Sequence, residues 1–591
     1  MAKIAMARFF AFVSFFRNST AGDERTSKEH RLSTRLIDES IAAAEAMITK
    51  WHPASSDYAK VSSIFSHGRA EVSLFFEAIS KLRQVMLFYS SPDCPESPSY
   101  RKKSIVRAQT LMQSAMRRLE SEFHQILSSK LIRLDSNGSQ SSSLWPYSSD
   151  EETPISSDSV HSYSADCTAD LRSIADTMIT NGYAREVVRV YKFLRRSVIV
   201  ESLFHLGFNL SLPISNLRKL DWSVLDVRIE SWISAARSAI STIFSFENHF
   251  CRLIFGGADD DFLNLVESCF ADVTRDAALQ FLTFPESVAK TKFSPEKLFR
   301  ILDFYKTLSA IFPQIELIFS NPSTLSVRSK AIDSLHALAA AARDAIAEFE
   351  LAVHKETSKV AVPGAGVHSL TKYAMNYLSR LSEYVPELAD IYSRVPFRPP
   401  EPLPETSAPC SSIIVSAAVA ERVAWLVFVL LCKLDHKAEF YKDVSLSYLF
   451  LANNVKYVVS KVRASRLIMV LGERWAERHD ATARRHAESY VRIGWSKVAA
   501  VVENDGGWAA FEMAFNETAK AEKGRVVVDA VMREEVRVAV EGMILLSYRG
   551  LYESVKAAYA PSTAEMWSPE VITIRLAEVF TGPVDSESAS G

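Results

Sequence analysis

The stretch VSLSYLFLANNVKYVVSKVRASRLIMVL, residues 444–471, decides the fold class. Leu446, Leu449, Ala452, Val455, Val459 and Val462 recur at spacings of three and four. That period lays side chains along one face of a helix. Tyr448, Leu451, Val458 and Met469 widen the face, so the helix is expected to pack on more than one neighbour. The pattern predicts a helix running on to Leu471, with Asn453 and Asn454 interrupting the apolar stripe near its middle. Cations begin at Lys456: residues 456–497 hold ten Lys or Arg against four Asp or Glu, a balance of 10 − 4 = +6. The stretch therefore reads as a buried helix that runs into a cationic surface.

Composition extends the helical reading to the whole chain. At 591 residues the sequence exceeds one ordinary core, so several bundles are expected. Only 18 glycines are present, too few for a protein built on many tight strand turns. The net charge of −2 gives no whole-chain attraction to nucleic acid, so an anionic partner must be met locally. The six cysteines (Cys94, Cys167, Cys251, Cys269, Cys410, Cys432) lie far apart and none forms a C-x-x-C pair. That usage fits reduced thiols of a cytoplasmic protein better than a disulfide or zinc framework. The apolar runs at 9–16 and 423–432 are shorter than the roughly 20 residues that span a bilayer.

The chain divides as follows. Residues 1–30 read as a disordered N-terminus that carries the short phenylalanine-rich run. In 31–53, Ile37, Ile41, Ala44, Ile48 and Trp51 alternate at spacings of four and three, a coiled-coil-like seam. The seam needs a partner helix, and the sequence leaves open whether this comes from the same chain or from another protein. Residues 54–134 form an N-terminal helical bundle. Residues 135–166 are an acidic, serine-rich insert with too little apolar surface to order itself. Central bundles at 167–395 include turns at Asn181-Gly182 and Gly207 and a helix start at Ser294-Pro295-Glu296. The loop VPGAGVHS (362–369) and an extended proline-rich loop at 396–415 follow. C-terminal bundles fill 416–580, and 581–591 is a disordered tail.

Signatures of catalysis do not emerge. The sequence has no phosphate-binding G-x-x-x-x-G-K-[ST], no G-x-S-x-G and no H-E-x-x-H. His479 and His486 are seven apart on a predicted helix without a third ligand, and read as solvated. No catalytic residue, metal site or cofactor is assigned. The candidate contacts for an anionic partner are Lys456, Lys461, Arg463, Arg466, Arg484, Arg485, Arg492 and Lys497, with Tyr490 and Trp495 among them. An anionic membrane or an acidic protein fits this set. A solvated face paired internally with Glu477 and Glu488 is the alternative.

Four segments carry a family resemblance: LRSIADTMITNGYAREVVRVYKFLRRSVIVESLFHLG (171–207), SPEKLFRILDFYKTL (294–308), VHSLTKYAMNYL (367–378) and YLFLANNVKYVVSKVRASRLIMVLGERWAERH (448–479). Together they resemble the Exo70 subunit of the exocyst tethering complex. AMRRLESEFHQIL (115–127) and residues 43–86 look like its expanded plant branch. The resemblance implies an all-α, elongated rod of consecutively stacked antiparallel helical bundles. It further implies a non-enzymatic subunit that tethers secretory vesicles to the plasma membrane in polarised exocytosis. Such a protein is cytoplasmic and peripherally associated with plasma membrane or vesicles. Its implied partners are other exocyst subunits, Rho-type GTPases and phosphoinositide membrane, with no nucleic acid. The resemblance also makes the Ile37–Trp51 seam a candidate meeting point with those other subunits. A specialised adaptor acting outside the exocyst, in autophagy-related trafficking or as an immune-monitored target, is the alternative. The chain departs from the family pattern at its C-terminal tip. Residues 541–580 carry Arg549, Lys556 and Arg575 against five glutamates, a balance of 3 − 5 = −2. Lys556 and Arg575 are thus expected to give only weakened lipid contact there.

Overall fold

The computed structural model describes residues 23–52, 59–60, 62–91, 96–136, 165–210, 220–257, 260–291, 295–395, 397–409, 416–503, 507–558 and 566–580. Their regular structure is helical, and no strand occurs among them. The phenylalanine-rich run at 9–16 lies outside these residues, as do the tail at 581–591 and most of the acidic insert. Two compact units are present. One comprises Met1–Pro213, Glu230–Thr283 and Ile311–Ala331; the other comprises Ile214–Ile229, Phe284–Ala310 and Ile332–Gly591.

In the first unit, helix α1 (Asp23–Lys50) starts inside the stretch read from sequence as disordered. Residues 23–30 are polar but continue the helical register of the seam that follows. The seam residues Ile37, Ile41, Ala44, Ile48 and Trp51 are all buried. They pack on α2 (Arg69–Ser90) and α3 (Pro98–Ser136) of the same chain. Phe75, Ile79 and Leu82 of α2 and Met112, Ala115 and Leu119 of α3 complete that core. The Arg118 guanidinium lies 5.5 Å from the Trp51 ring. Its two terminal nitrogens donate to the carbonyls of Ala59 and Ser62 and to Glu122, so backbone and carboxylate together hold this buried cation.

Further along, α4 (Ala165–Thr180) and α5 (Ala184–His205) are joined through Gly182, whose φ of +88° only glycine adopts without strain. Helix α6 (Trp222–Ser238) leads through a π-helical turn at Ala239–Phe244 into α7 (Ser245–Phe255). Glu247 of α7 accepts from Tyr191 at 2.7 Å and from Arg195 at 2.6 Å, all three side chains being buried. Helix α8 (Asp260–Ala289) then packs back, and the Phe281 carbonyl accepts from Trp232 Nε1 at 2.9 Å.

The second unit is organised on α14 (Val444–Arg463), which packs along α16 (Glu473–Gly494). Leu449, Ala452, Val455, Val459 and Val462 are buried, as the spacing predicts, whereas Leu446 in the first turn is only half-buried. The helix does not run on to Leu471. It ends at Arg463, and a separate short helix α15 (Leu467–Leu471) follows a break at 464–466. The backbone N–H of Ala464 closes the last turn on Ser460, and the Ser465 hydroxyl then caps the N–H of Leu467. Met469 is thereby carried out of the stripe and is 54 % exposed.

Asn453 and Asn454 do not weaken the core; they hold it. Asn453 Nδ2 donates to the carbonyls of Ala365 and Val526, and its Oδ1 accepts from the N–H of Val528. Asn454 Oδ1 accepts from the N–H of His368 and the hydroxyl of Thr371. Two buried amides thus pin the 362–371 loop and the 526–528 segment onto α14. Gly364 of that loop sits at φ +66°.

The described part of the proline-rich loop is tied down at 405–408. Trp475 Nε1 donates to the Ser407 carbonyl at 3.3 Å, and Arg478 donates to the carbonyls of Glu405 and Ala408. The remaining helices are α9 (Leu298–Ile318), α10 (Leu325–Lys355), α11 (Ser369–Leu381), α12 (Val385–Arg394) and α13 (Ala417–Ala438), then α17 (Ser496–Glu503), α18 (Gly507–Glu522), α19 (Ala530–Ala558) and α20 (Pro569–Phe580). Of these, α11 and α13 pack directly on α14, and α19 packs on α16.

Candidate anionic-partner surface

The eight candidate cations of 456–497 separate into two groups once folded. The first is engaged by carboxylates. Asp480 of α16 is buried and collects Lys456 at 2.9 Å, Arg484 at 3.2 Å and Arg463 at 4.0 Å. Burial pushes the Asp480 carboxyl up, but the Lys456 ammonium and the two guanidiniums outweigh this and hold it below the usual carboxylate range. Arg463 also meets Glu473 at 3.2 Å, and Arg484 approaches Glu535 at 3.8 Å. Lys456 is therefore a structural ion-pair residue and not a surface contact.

The second group faces outward. Arg466, Arg485, Arg492 and Lys497 are exposed, and Lys461 is half-buried over the Tyr457 ring. Among the described residues none of these five has a carboxylate partner within 4 Å; Arg485 reaches only the Thr482 hydroxyl. Tyr490 and Trp495, which sit among the cations in sequence, are fully buried and belong to the core. Tyr490 donates to Glu522, which also binds Arg525 at 2.7 Å.

His479 is buried rather than solvated, and His486 is half-buried. His479 stacks on Trp475 with ring centroids 3.8 Å apart, and its Nδ1 is 2.9 Å from the Trp475 carbonyl. Burial depresses the basicity of both imidazoles. Among the described residues no His, Cys, Asp and Glu cluster could hold a metal ion.

Near the C-terminus, the Arg575 guanidinium lies 3.7 Å from the Trp567 ring and Lys556 lies over Tyr552. Trp567 packs in turn on Trp508 and Phe515. Arg575 is thus drawn against an aromatic cluster, which fixes its position.

Folding also adds members that the sequence did not mark. Lys306 of α9 and Arg380 of α11 lie in the same groove as Lys461, Arg463 and Arg466. No local pattern links Lys306 to Arg466, 160 positions apart, so only the fold could join them.

Comparison with known proteins places this architecture. A family model for the Exo70 exocyst complex subunit, describing its C-terminal part, matches residues 230–575. One described as "Exocyst complex component Exo70 N-terminal" matches residues 40–129. The chain belongs to the Exo70 family of the exocyst complex. As a member it is an exocyst subunit involved in vesicle tethering. It is 28 % identical to exocyst complex component EXO70A1 of Arabidopsis thaliana, over 92 % of this chain and 89 % of that one. It is 26 % identical to EXO70B1 of the same plant, over 81 % and 79 %. The crystal structure of the Exo70p exocyst component of S. cerevisiae shares the fold with a TM-score of 0.59 at 12 % identity, covering 92 % of this chain and 99 % of that one. These likenesses fit the plant-expanded branch of the family and do not favour the adaptor outside the exocyst. No helix among the described residues is long and apolar enough to cross a membrane.

Proposed function

We propose that the chain is a non-catalytic Exo70 protein that bridges the rest of the exocyst to the plasma membrane during polarised exocytosis. The observation that supports this most is the outward set Arg485, Arg492 and Lys497, cations left without carboxylate partners on a helical scaffold. Each cation beside an anionic bilayer contributes on the order of 1 kcal/mol, so three give a weak, salt-sensitive contact. Phosphoinositide binding at the C-terminal tip is weak, because Arg575 is engaged by Trp567 and five glutamates surround the few cations there. The Ile37–Trp51 seam is spent on its own bundle, so other subunits dock on the outer faces of that bundle instead. A Rho-type GTPase partner rests on the family resemblance. On this reading the protein acts in the cytoplasm, peripherally associated with plasma membrane or vesicles.

Affinity purification of the full chain from native tissue tests the central claim. Recovery of the other exocyst subunits is expected; their absence from a preparation in which they co-purify with one another would refute it. Sedimentation with phosphatidylinositol bisphosphate vesicles tests the lipid surface. The variant R485E/R492E/K497E should lose binding, and K556E/R575E should keep most of it.

A further inference from the structure

A cationic groove of about 970 Å³ opens in the second unit at the corner between α14 and α15. Lys306, Arg380, Lys461, Arg463 and Arg466 line it, with Glu383 as the single acidic side chain. Arg463 is already neutralised by Glu473. Among the described residues the other four cations have no carboxylate within 4 Å. Arg380 is held in place by stacking, its guanidinium 4.2 Å from the Phe299 ring, which leaves its donors free to face the groove. The groove contains a second unmet need. Ser379 lines it, and its hydroxyl, shielded from solvent behind the groove wall, has no hydrogen-bond partner among the described residues. At the edge stands Met469, exposed because α14 breaks at 464–466.

Four uncompensated cations, one orphan hydroxyl and one apolar side chain in a concave channel define a ligand. It must be anionic at several points, offer hydrogen-bonding groups between them and carry an apolar group at one end. An extended acidic peptide meets all three requirements. A flat bilayer meets only the first, because the cations line a groove larger than a single headgroup phosphate. We infer that this groove is a docking site for an acidic segment of a partner protein, with Arg380 and Arg466 receiving carboxylates and Met469 an apolar side chain. The site is separate from the Arg485, Arg492 and Lys497 surface assigned above to lipid.

Fluorescence anisotropy on the full-length protein decides it. The probe is a fluorescein-labelled decapeptide of eight glutamates ending in two leucines; the control replaces every glutamate by glutamine. Binding of the acidic probe that weakens with added salt, with none of the control, is expected. R380E/R466E should weaken it at least tenfold, while R492E/K497E should change it less than twofold. M469S should weaken the leucine-containing probe but not an all-glutamate decapeptide, a readout that a merely unfolded protein would not give. Equal losses in R380E/R466E and R492E/K497E would overturn the inference. So would loss of vesicle sedimentation in R380E/R466E together with no peptide binding by the parent protein. Exocyst subunits can still co-purify when the peptide fails to bind, so this test and the purification above fail independently.

Discussion

The side-chain oxygen of Asn454 accepts a 2.6 Å hydrogen bond from the hydroxyl of Thr371, 83 residues earlier, with both side chains fully buried. The same oxygen accepts from the N–H of His368 at 2.9 Å. N454L keeps the branched shape of the side chain but strands both donors and the carbonyl of Gly366. Each unsatisfied buried group costs about 1–3 kcal/mol, so a total loss of about 3 kcal/mol or more is expected in urea unfolding. T371V should lose less, because it removes one partner whose acceptor keeps another donor. The double variant should cost less than the sum of the two, a non-additivity that a thermodynamic cycle measures.

Gly364 carries a second prediction. Its φ of +66° disfavours any side chain, and a Cβ there would lie 2.9 Å from Val526 Cγ2 and 3.0 Å from the Gly524 carbonyl oxygen. G364A should destabilise the second unit by about 2 kcal/mol or more. Gly182, at φ +88° with nothing within 4 Å, isolates the backbone effect, and G182A should cost only about 1 kcal/mol.

Asp480 is the shared counter-ion of Lys456, Arg463 and Arg484. D480A leaves Lys456 nearly buried without a partner and should cost about 3–5 kcal/mol, whereas K456M/D480L, which removes both charges, should recover most of it. Since the folded carboxyl sits below its ordinary value, the pair stabilises above about pH 4 and loses this contribution as pH falls through the folded value. Vesicle-binding experiments on K456E would therefore report unfolding, not lipid recognition.

Burial lowers the basicity of His368, His479 and His486. Between the depressed folded values and about pH 6.5 the unfolded chain binds more protons than the native one, so stability is full above that range and falls as pH drops through it. Thermal unfolding should move to lower temperature from pH 7.5 to pH 5.5. H479F, which keeps an aromatic ring against Trp475, should flatten the slope.

The seam makes a prediction that separates its two roles. Ile41 is 1 % exposed within its own bundle. I41A should destabilise that bundle by about 2–5 kcal/mol. If the residue served instead at an interface with another protein, co-purification would fall while unfolding of the isolated chain stayed unchanged.

The sequence displayed some features openly. The three–four spacing of Leu449, Ala452, Val455, Val459 and Val462 marked a buried helix face, and the seam from Ile37 to Trp51 marked another. Both signals are local, because a helix places residues a few positions apart on one side whatever surrounds it. The end of α14 was harder to read. Apolar periodicity continues through Leu467 and Leu471, and only the Ser465 cap shows that the axis turns. Lys456 and Arg466 look alike in sequence, yet one is locked to Asp480 and the other is free.

Helical class and family therefore follow from the order of residues alone, since they depend on periodicity and on long matching segments. Which cations remain available, why two asparagines belong in a core, and that Lys306 shares a groove with Arg466 depend on distances between residues remote in the chain. Charge pairing and amide hydrogen bonds act over a few ångströms, and only the packed helices determine which groups come that close.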